Sequence, residues 1–177
     1  TGGNNNTGIG FQALFTDNSG SSNTAIGYNA MFFNSGGSGN IAIGSQALQN
    51  NTTSGDNVAI GTQAVFANSS GRNIGIGSLA VTNTTSSSNI GIGYQSLFTN
   101  ITGDNLIAIG HGALKNSTGG ENLSVGNESF QANTTGIRNI GVGYLTGYSN
   151  NTGSENVFVG WQAGYSLTKT NSNNTFI

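Results

Sequence analysis

The 177 residues contain no cysteine and no proline. Without cysteine there are no disulfides and no thiolate metal sites, so packing and hydrogen bonding must supply the stability. Charge is scarce: four Lys and Arg, six Asp and Glu, one His, for a net charge of -2. Four basic residues cannot build the cationic patch that displaces counterions from phosphates, which argues against a nucleic-acid partner. No apolar run reaches the ~20 residues of a membrane-spanning helix, so no membrane insertion is expected. No signal-peptide pattern is visible either.

Glycine is abundant, at 30 positions, among many Asn, Ser and Thr. Such compositions often accompany disorder. Here the Ile, Val, Leu and Phe residues are evenly spaced, which argues for a folded chain. Gly and Asn are poor helix formers and occur throughout, which argues against helix.

The regular spacing comes from one stretch, Asn40-Ile41-Ala42-Ile43-Gly44-Ser45-Gln46-Ala47-Leu48, repeated with small changes along residues 1–177. The glycine closing each strand motif falls at Gly10, Gly27, Gly44, Gly61, Gly77, Gly93, Gly110, Gly126, Gly143 and Gly160, at spacings of 16 or 17 residues. An asparagine column precedes it: Asn6, Asn23, Asn40, Asn57, Asn73, Asn89, Asn105, Asn122, Asn139 and Asn156. Asn105 lies one place early, and Leu106 reads as an inserted residue in a small bulge. Three residues after each glycine comes a small residue, then a larger apolar one, as in Ala47-Leu48. Gly147 and Gly164 interrupt that last column, and Tyr148 and Tyr165 are expected to fill the space. Asn/Ser/Thr/Gly clusters between coils are turn chemistry.

A period this short cannot hold a helical repeat, but it fits two short strands and two turns. The expectation is an all-β, single repeat domain: a parallel β-solenoid, or β-roll, of about ten coils. At ~4.8 Å per strand it forms a rod of about 50 Å. The alternation Ile41/Ile43 against Asn40/Ala42/Gly44 splits each strand into a bulky face and a flat one. The bulky face reads as core. The flat face, Ala25, Ala42, Ala59, Gly75, Gly91, Ala108 and Gly141, reads as the site of close approach by another subunit or strand layer. Bulky replacements of Ala42 or Ala59 are then expected to disrupt assembly. Stacked asparagines form an amide ladder or cap the turns. So thin a core, with aromatics such as Phe15, Phe32 and Phe66 beside it, favours lateral association into a closed homotrimer. Neither Thr1–Asn6 nor Phe176-Ile177 reads as a cap, so continuation into further sequence or end-to-end stacking is expected.

At these residues the chain resembles two groups. The Asn-x-Ala-Ile-Gly-x-x-Ala-Leu pattern with Asn-Thr-Thr-Gly tips, closest in Asn23-Thr24-Ala25-Ile26-Gly27-Tyr28-Asn29-Ala30, resembles repeat regions of phage-type tail fibres and bacterial surface proteins. Many of those end in an endosialidase-type chaperone domain. The pattern is also similar to the head repeats of trimeric autotransporter adhesins, which form a trimeric parallel β-roll. The resemblance covers the whole chain. It implies a non-catalytic structural fibre, stalk or adhesive repeat domain, extracellular, on a virion tail fibre or a bacterial cell surface.

Candidate chemistry is sparse. His111, the lone histidine, has no Ser, Cys or carboxylate partner at a repeated position, and triads and metal sites need convergent partners. Asp56, Asp104, Glu121 and Glu155 form a column that suggests Ca²⁺ through oxygen ligands. Arg72 and Arg138 share the column, so charges that keep a β surface soluble and unaggregated are the better reading. Gly-Ile-Gly segments lack the helix that a dinucleotide fingerprint requires. Asn-x-Ser/Thr sequons at Asn51, Asn83, Asn116 and Asn133 follow from tip composition. No catalytic residue, cofactor or metal is assigned, and no enzyme is expected. Tyr28, Tyr94, Tyr144 and Trp161 are candidate surface aromatics for host glycans or a receptor. The alternatives are an ice-binding solenoid, disfavoured because no strand carries a Thr-x-Thr ladder, and a self-assembling extracellular filament subunit.

Overall fold

A computed structural model describes residues 3–16, 19–167 and 170–177. Its strands are β1 Thr7–Ile9, β2 Thr24–Ile26, β3 Ile41–Ile43, β4 Val58–Ile60, β5 Ala67–Asn68, β6 Ile74–Ile76, β7 Asn83–Thr84, β8 Ile90–Ile92, β9 Ile107–Ile109, β10 Leu123–Val125, β11 Ile140–Val142, β12 Val157–Val159 and β13 Thr175–Phe176. No helix occurs among the described residues, so none is long and apolar enough to cross a membrane. Eleven strands form one parallel sheet, stacked in chain order as β1-β2-β3-β4-β6-β8-β9-β10-β11-β12-β13. Each pairs in strict register with the next, Ile41 with Val58, Ala42 with Ala59, Ile43 with Ile60. The chain is a β-solenoid of about ten turns.

Only one wall of most coils is a strand. The other wall is made of tight turns, where the sequence suggested a second strand. Ala47 N–H donates to Gly44 O (3.3 Å) and Asn51 N–H to Leu48 O (3.2 Å), both within the coil. The same wall also bonds between coils, through Leu48 N–H to Ala64 O (3.1 Å) and Asn50 N–H to Phe66 O (3.0 Å). Among the described residues, extended backbone appears there only as β5 and β7, which pair with each other in two successive 16-residue coils.

Turning this sharply requires left-handed backbone at fixed places. Gln46, Leu48 and Asp56 have φ of 59°, 48° and 60°, and their counterparts in other coils repeat this. Such conformations cost L-residues roughly 1–2 kcal/mol each, so the coil stack must hold them. Gly44 is the strictest position. Its φ is 133°, and a Cβ there would stand 2.6 Å from Gly61 O in the next coil.

The two strand faces are the reverse of the sequence expectation. Ala42 is 0% exposed, while Ile41 and Ile43 are 40% and 37% exposed. Ala25, Ala59, Ala108, Gly75, Gly91 and Gly141 also face inward and are buried. They do not form a subunit interface. They meet the opposite wall of the coil stack, which carries Met31, Leu48, Val65, Val81, Leu97, Leu114 and Phe130, all fully buried. That wall already supplies the bulk, so only small residues fit across from it. A Cβ on Gly75 would stand 2.6 Å from Val65 Cγ2, and one on Gly141 would stand 2.6 Å from the Phe130 ring. Bulky replacements at Ala42 or Ala59 therefore strike the protein's own core.

Leu106 is not a bulge. It is fully buried, and its N–H donates to Asn89 Oδ1 (3.0 Å), so it occupies the asparagine column itself. Asn105 takes the exposed left-handed corner before it, at φ 57°. Tyr148 and Tyr165 do not fill the gaps at Gly147 and Gly164 either. They stack on each other with ring centroids 5.4 Å apart, and Tyr165 is 36% exposed. Phe130 and Phe158 supply the volume. A Cβ on Gly147 would meet the Phe130 ring, and one on Gly164 would lie 2.8 Å from Phe158 Cδ2. Phe158 stands where the preceding strands of the sheet carry Ala, Gly or Ser, and Phe176 of β13 pairs with it in register, so large and small have exchanged walls in this coil.

This exchange can be tested by reversing it. Gly164→Leu overpacks the coil and is expected to destabilise it by about 1–3 kcal/mol. Phe158→Ala empties it, at about 3–5 kcal/mol. The double variant restores the Ala/Leu pairing of the other coils. Its melting temperature should exceed that of either single variant, and additive losses would contradict this packing.

Candidate functional site

The most ordered chemical feature of the molecule is internal. Most column asparagines are tied to the previous coil through their backbone N–H. Asn23 N–H donates to Asn6 Oδ1 (2.9 Å), Asn40 to Asn23 (2.9 Å), Asn57 to Asn40 (3.0 Å), Asn73 to Asn57 (2.9 Å) and Asn89 to Asn73 (3.0 Å). After Leu106 the chain of bonds resumes with Asn139 to Asn122 (2.8 Å), Asn156 to Asn139 (3.1 Å) and Asn174 to Asn156 (3.0 Å). The Nδ2 atoms reach sideways to tip carbonyls, as in Asn40 to Ser54 O (2.9 Å) and Asn139 to Gly153 O (2.9 Å). From Asn23 onward the column is buried, apart from Asn105, which stands outside it, and the partly buried Asn174.

A second buried amide column, which the sequence reading assigned to polar tips, runs along the other corner. Asn34, Asn51, Asn68, Asn100, Asn133 and Asn150 are at most 2% exposed. Asn51 Nδ2 donates to Asn34 Oδ1 (3.1 Å) and to Ser54 O (2.9 Å), and Asn68 Nδ2 donates to Asn51 Oδ1 (3.3 Å). Thr84 and Ser117 replace asparagine in two coils, still buried. All of these lie seven residues after the coil glycine. That constant offset is the signal that separates them from the variable tip residues around them. Of the sequon asparagines, Asn51 and Asn133 belong to this column, whereas Asn83 and Asn116 are exposed.

Outside, the acid column winds along the left-handed corner. Arg138 joins Glu121 (3.0 Å) and Glu155 (3.3 Å) across three successive coils. The hydrogen bond and charge of Glu121, with those of Glu155, raise the guanidinium pKa above its usual value. Asp104 accepts from Ser87 N–H (2.7 Å). Among the described residues no three His, Cys, Asp or Glu side chains gather as a metal site. His111 is exposed beside Tyr94, with ring centroids 5.6 Å apart.

Tyr28, Tyr94, Tyr144 and Trp161 share one exposed column, each directly after its coil glycine, and Trp161 is 72% exposed. Rings of neighbouring coils meet along the rod at two places in this column: Phe11 and Tyr28 stack 5.6 Å apart at 7°, and Tyr94 and His111 lie 5.6 Å apart, tilted by 33°. A stacked pair turns ring faces toward each other and edges outward. An apolar surface lies beside this column. Ile41, Ile107 and Ile140 line up in one outward row of the sheet, and Ile43, Ile109 and Val142 in the other, all 36–40% exposed. This face carries aliphatic side chains where an ice-binding face would carry threonine.

Compared with known proteins, the chain matches no family model, no curated protein and no solved structure.

Two substitutions probe the first amide column. Asn57→Leu leaves the Asn73 N–H without its acceptor in a buried place, which is expected to cost about 1–3 kcal/mol. Leu106 already breaks the column, since among the described residues nothing accepts the Asn122 N–H. Leu106→Asn supplies that acceptor while giving up buried aliphatic surface, and its unfolding free energy should stay within about 1 kcal/mol of the parent. Denaturant unfolding of both variants checks this. Equal losses in the two would contradict a column that works by amide bonding.

Proposed function

We propose that this chain is a non-catalytic structural rod, a shaft or head segment of a trimeric extracellular fibre on a virion tail or bacterial surface. The observation that carries this reading is the pair of exposed aliphatic rows running along the sheet. Monomeric soluble proteins rarely expose contiguous apolar patches of more than a few hundred Å². Both rows are aliphatic from β3 to β12, eight stacked strands of the sheet, or about 38 Å at ~4.8 Å each. Covering it in a closed ring of identical copies satisfies that surface without an open, fibre-forming contact. The sequence resemblance to tail-fibre and adhesin-head repeats points the same way.

A stack of similar coils bonded through its interior makes a stiff spacer. Its length scales with coil number, which suits holding a receptor-binding or adhesive tip away from a base. The aromatic column offers a contact for host glycans or a receptor through ring edges, hydroxyls and the Trp161 indole.

Sedimentation equilibrium should give three times the 17.9 kDa chain mass. Ile43→Asp with Ile60→Asp puts two carboxylates in the proposed interface. Self-association should then weaken by roughly a hundredfold or more, about 2.7 kcal/mol, with the solenoid fold kept. A parent chain that stays monomeric at micromolar concentration would overturn the reading.

A further inference from the structure

Five residues after the coil glycine, on the turn wall, phenylalanine recurs as Phe15, Phe32, Phe66 and Phe98, none of them fully buried. Packing at that place uses a ring and needs no hydroxyl. In two successive coils the column changes to tyrosine, at Tyr148 and Tyr165. Each follows a left-handed glycine, Gly147 at φ 57° and Gly164 at φ 69°. Gly147 N–H donates to Ala163 O (2.9 Å), which seats one turn on the next. The two tyrosine rings stack with centroids 5.4 Å apart at 15°. Tyr165 is exposed and Tyr148 half-buried, so both are open to a small oxidant. Tyr28 stacks on Phe11 and Tyr94 lies beside His111. Among the described residues, only Tyr148 and Tyr165 meet a second tyrosine.

From this pairing we propose an oxidative modification site: hydrogen peroxide with a haem peroxidase joins Tyr148 to Tyr165 as dityrosine, a covalent staple in a chain without cysteine. Each phenol gives up one electron and its hydroxyl proton. The two phenoxyl radicals form one C–C bond between ring carbons ortho to the oxygens. The hydrogens on those carbons pass through solvent to the oxygens, and both rings become phenols again. Two tyrosines and one hydrogen peroxide thus give one dityrosine and two waters. Proximity selects the partner, because radicals held one coil apart meet inside the chain before they meet radicals on other molecules. Both side chains stand at the surface, where they can turn from stacked to edge-joined rings. Sulfur does not compete for the oxidant, since the single methionine, Met31, is fully buried. The pair lies on the wall opposite the aliphatic strip, so association through that strip leaves it open. The link closes a loop one coil long, which restricts the unfolded chain as a disulfide does.

Treating the full chain at micromolar concentration with hydrogen peroxide and a haem peroxidase tests this. The expected product runs as a single chain on a denaturing gel, is lighter by two hydrogen atoms and shows dityrosine fluorescence. Its proteolytic map should join Tyr148 to Tyr165, and it should melt at a higher temperature than the untreated chain. Tyr148→Phe keeps the ring stack and should lower the intrachain dityrosine yield by roughly tenfold or more. Adding Phe15→Tyr and Phe32→Tyr to that variant should restore the yield in the first two coils, where those rings already stack 5.1 Å apart at 9°. Dityrosine spread evenly over Tyr28, Tyr94 and Tyr144, or a yield that survives Tyr148→Phe, overturns the site. Failure of the transplanted pair to couple overturns the claim that stacking in this column selects the partner, and an unchanged melting temperature overturns the staple.

Discussion

The bond from one asparagine's backbone N–H to the Oδ1 of the asparagine one coil earlier is the constraint on which the rest depends. It fixes the distance between coils at a corner where the chain enters the sheet, and it repeats at 2.8–3.1 Å along the rod. A buried amide must have its partners, because an unpaired one costs about 1–3 kcal/mol. A coil that shifts register therefore breaks bonds in both neighbours. The asparagine at the opposite corner adds a second tie, through Asn34, Asn51 and Asn68. With no disulfide and few ion pairs, these internal amides do the work that cross-links do in other small domains.

Two polar corners leave only a narrow apolar slot between the walls. Leu48 and its counterparts fill the slot from the turn side, so the strand can offer only Ala, Gly or Ser across from them. Where β12 offers Phe158 instead, the turn side offers Gly164. The aliphatic side chains that cannot enter are turned outward, where they form the strip that calls for a partner. The thin core and the exposed aliphatic strip are thus consequences of the same geometry.

The period, the closing glycines and the stacked asparagines could be read directly from the spacing, because in a solenoid each residue type recurs at one structural place. The faces of the strand could not be read from alternation alone. Alternation separates Ile41 and Ile43 from Ala42 but does not say which set is inside, and hydrophobicity favoured the wrong one. The missing information lay in the second segment: Leu48 already fills the slot. Asn40 also shares a face with Ala42, so a buried amide column carries Ala42 inward with it. Asn105 was misplaced because residue type was weighed above offset from the glycine. Leu106 stands at the correct offset, and its backbone N–H bonds as an asparagine's would. The second amide column was missed because its asparagines are embedded in tips where Asn, Ser and Thr are common.

Backbone hydrogen exchange, resolved by residue, tests the central claim most directly. The N–H groups of Asn40, Asn57 and Asn73 lie outside the three-residue strands. If the amide column holds the coils together, they should exchange as slowly as Ala42 and Ala59 within the strands and far more slowly than exposed tip N–H groups such as Thr53. Exchange of Asn40, Asn57 and Asn73 at tip rates, with the strands still protected, would contradict it.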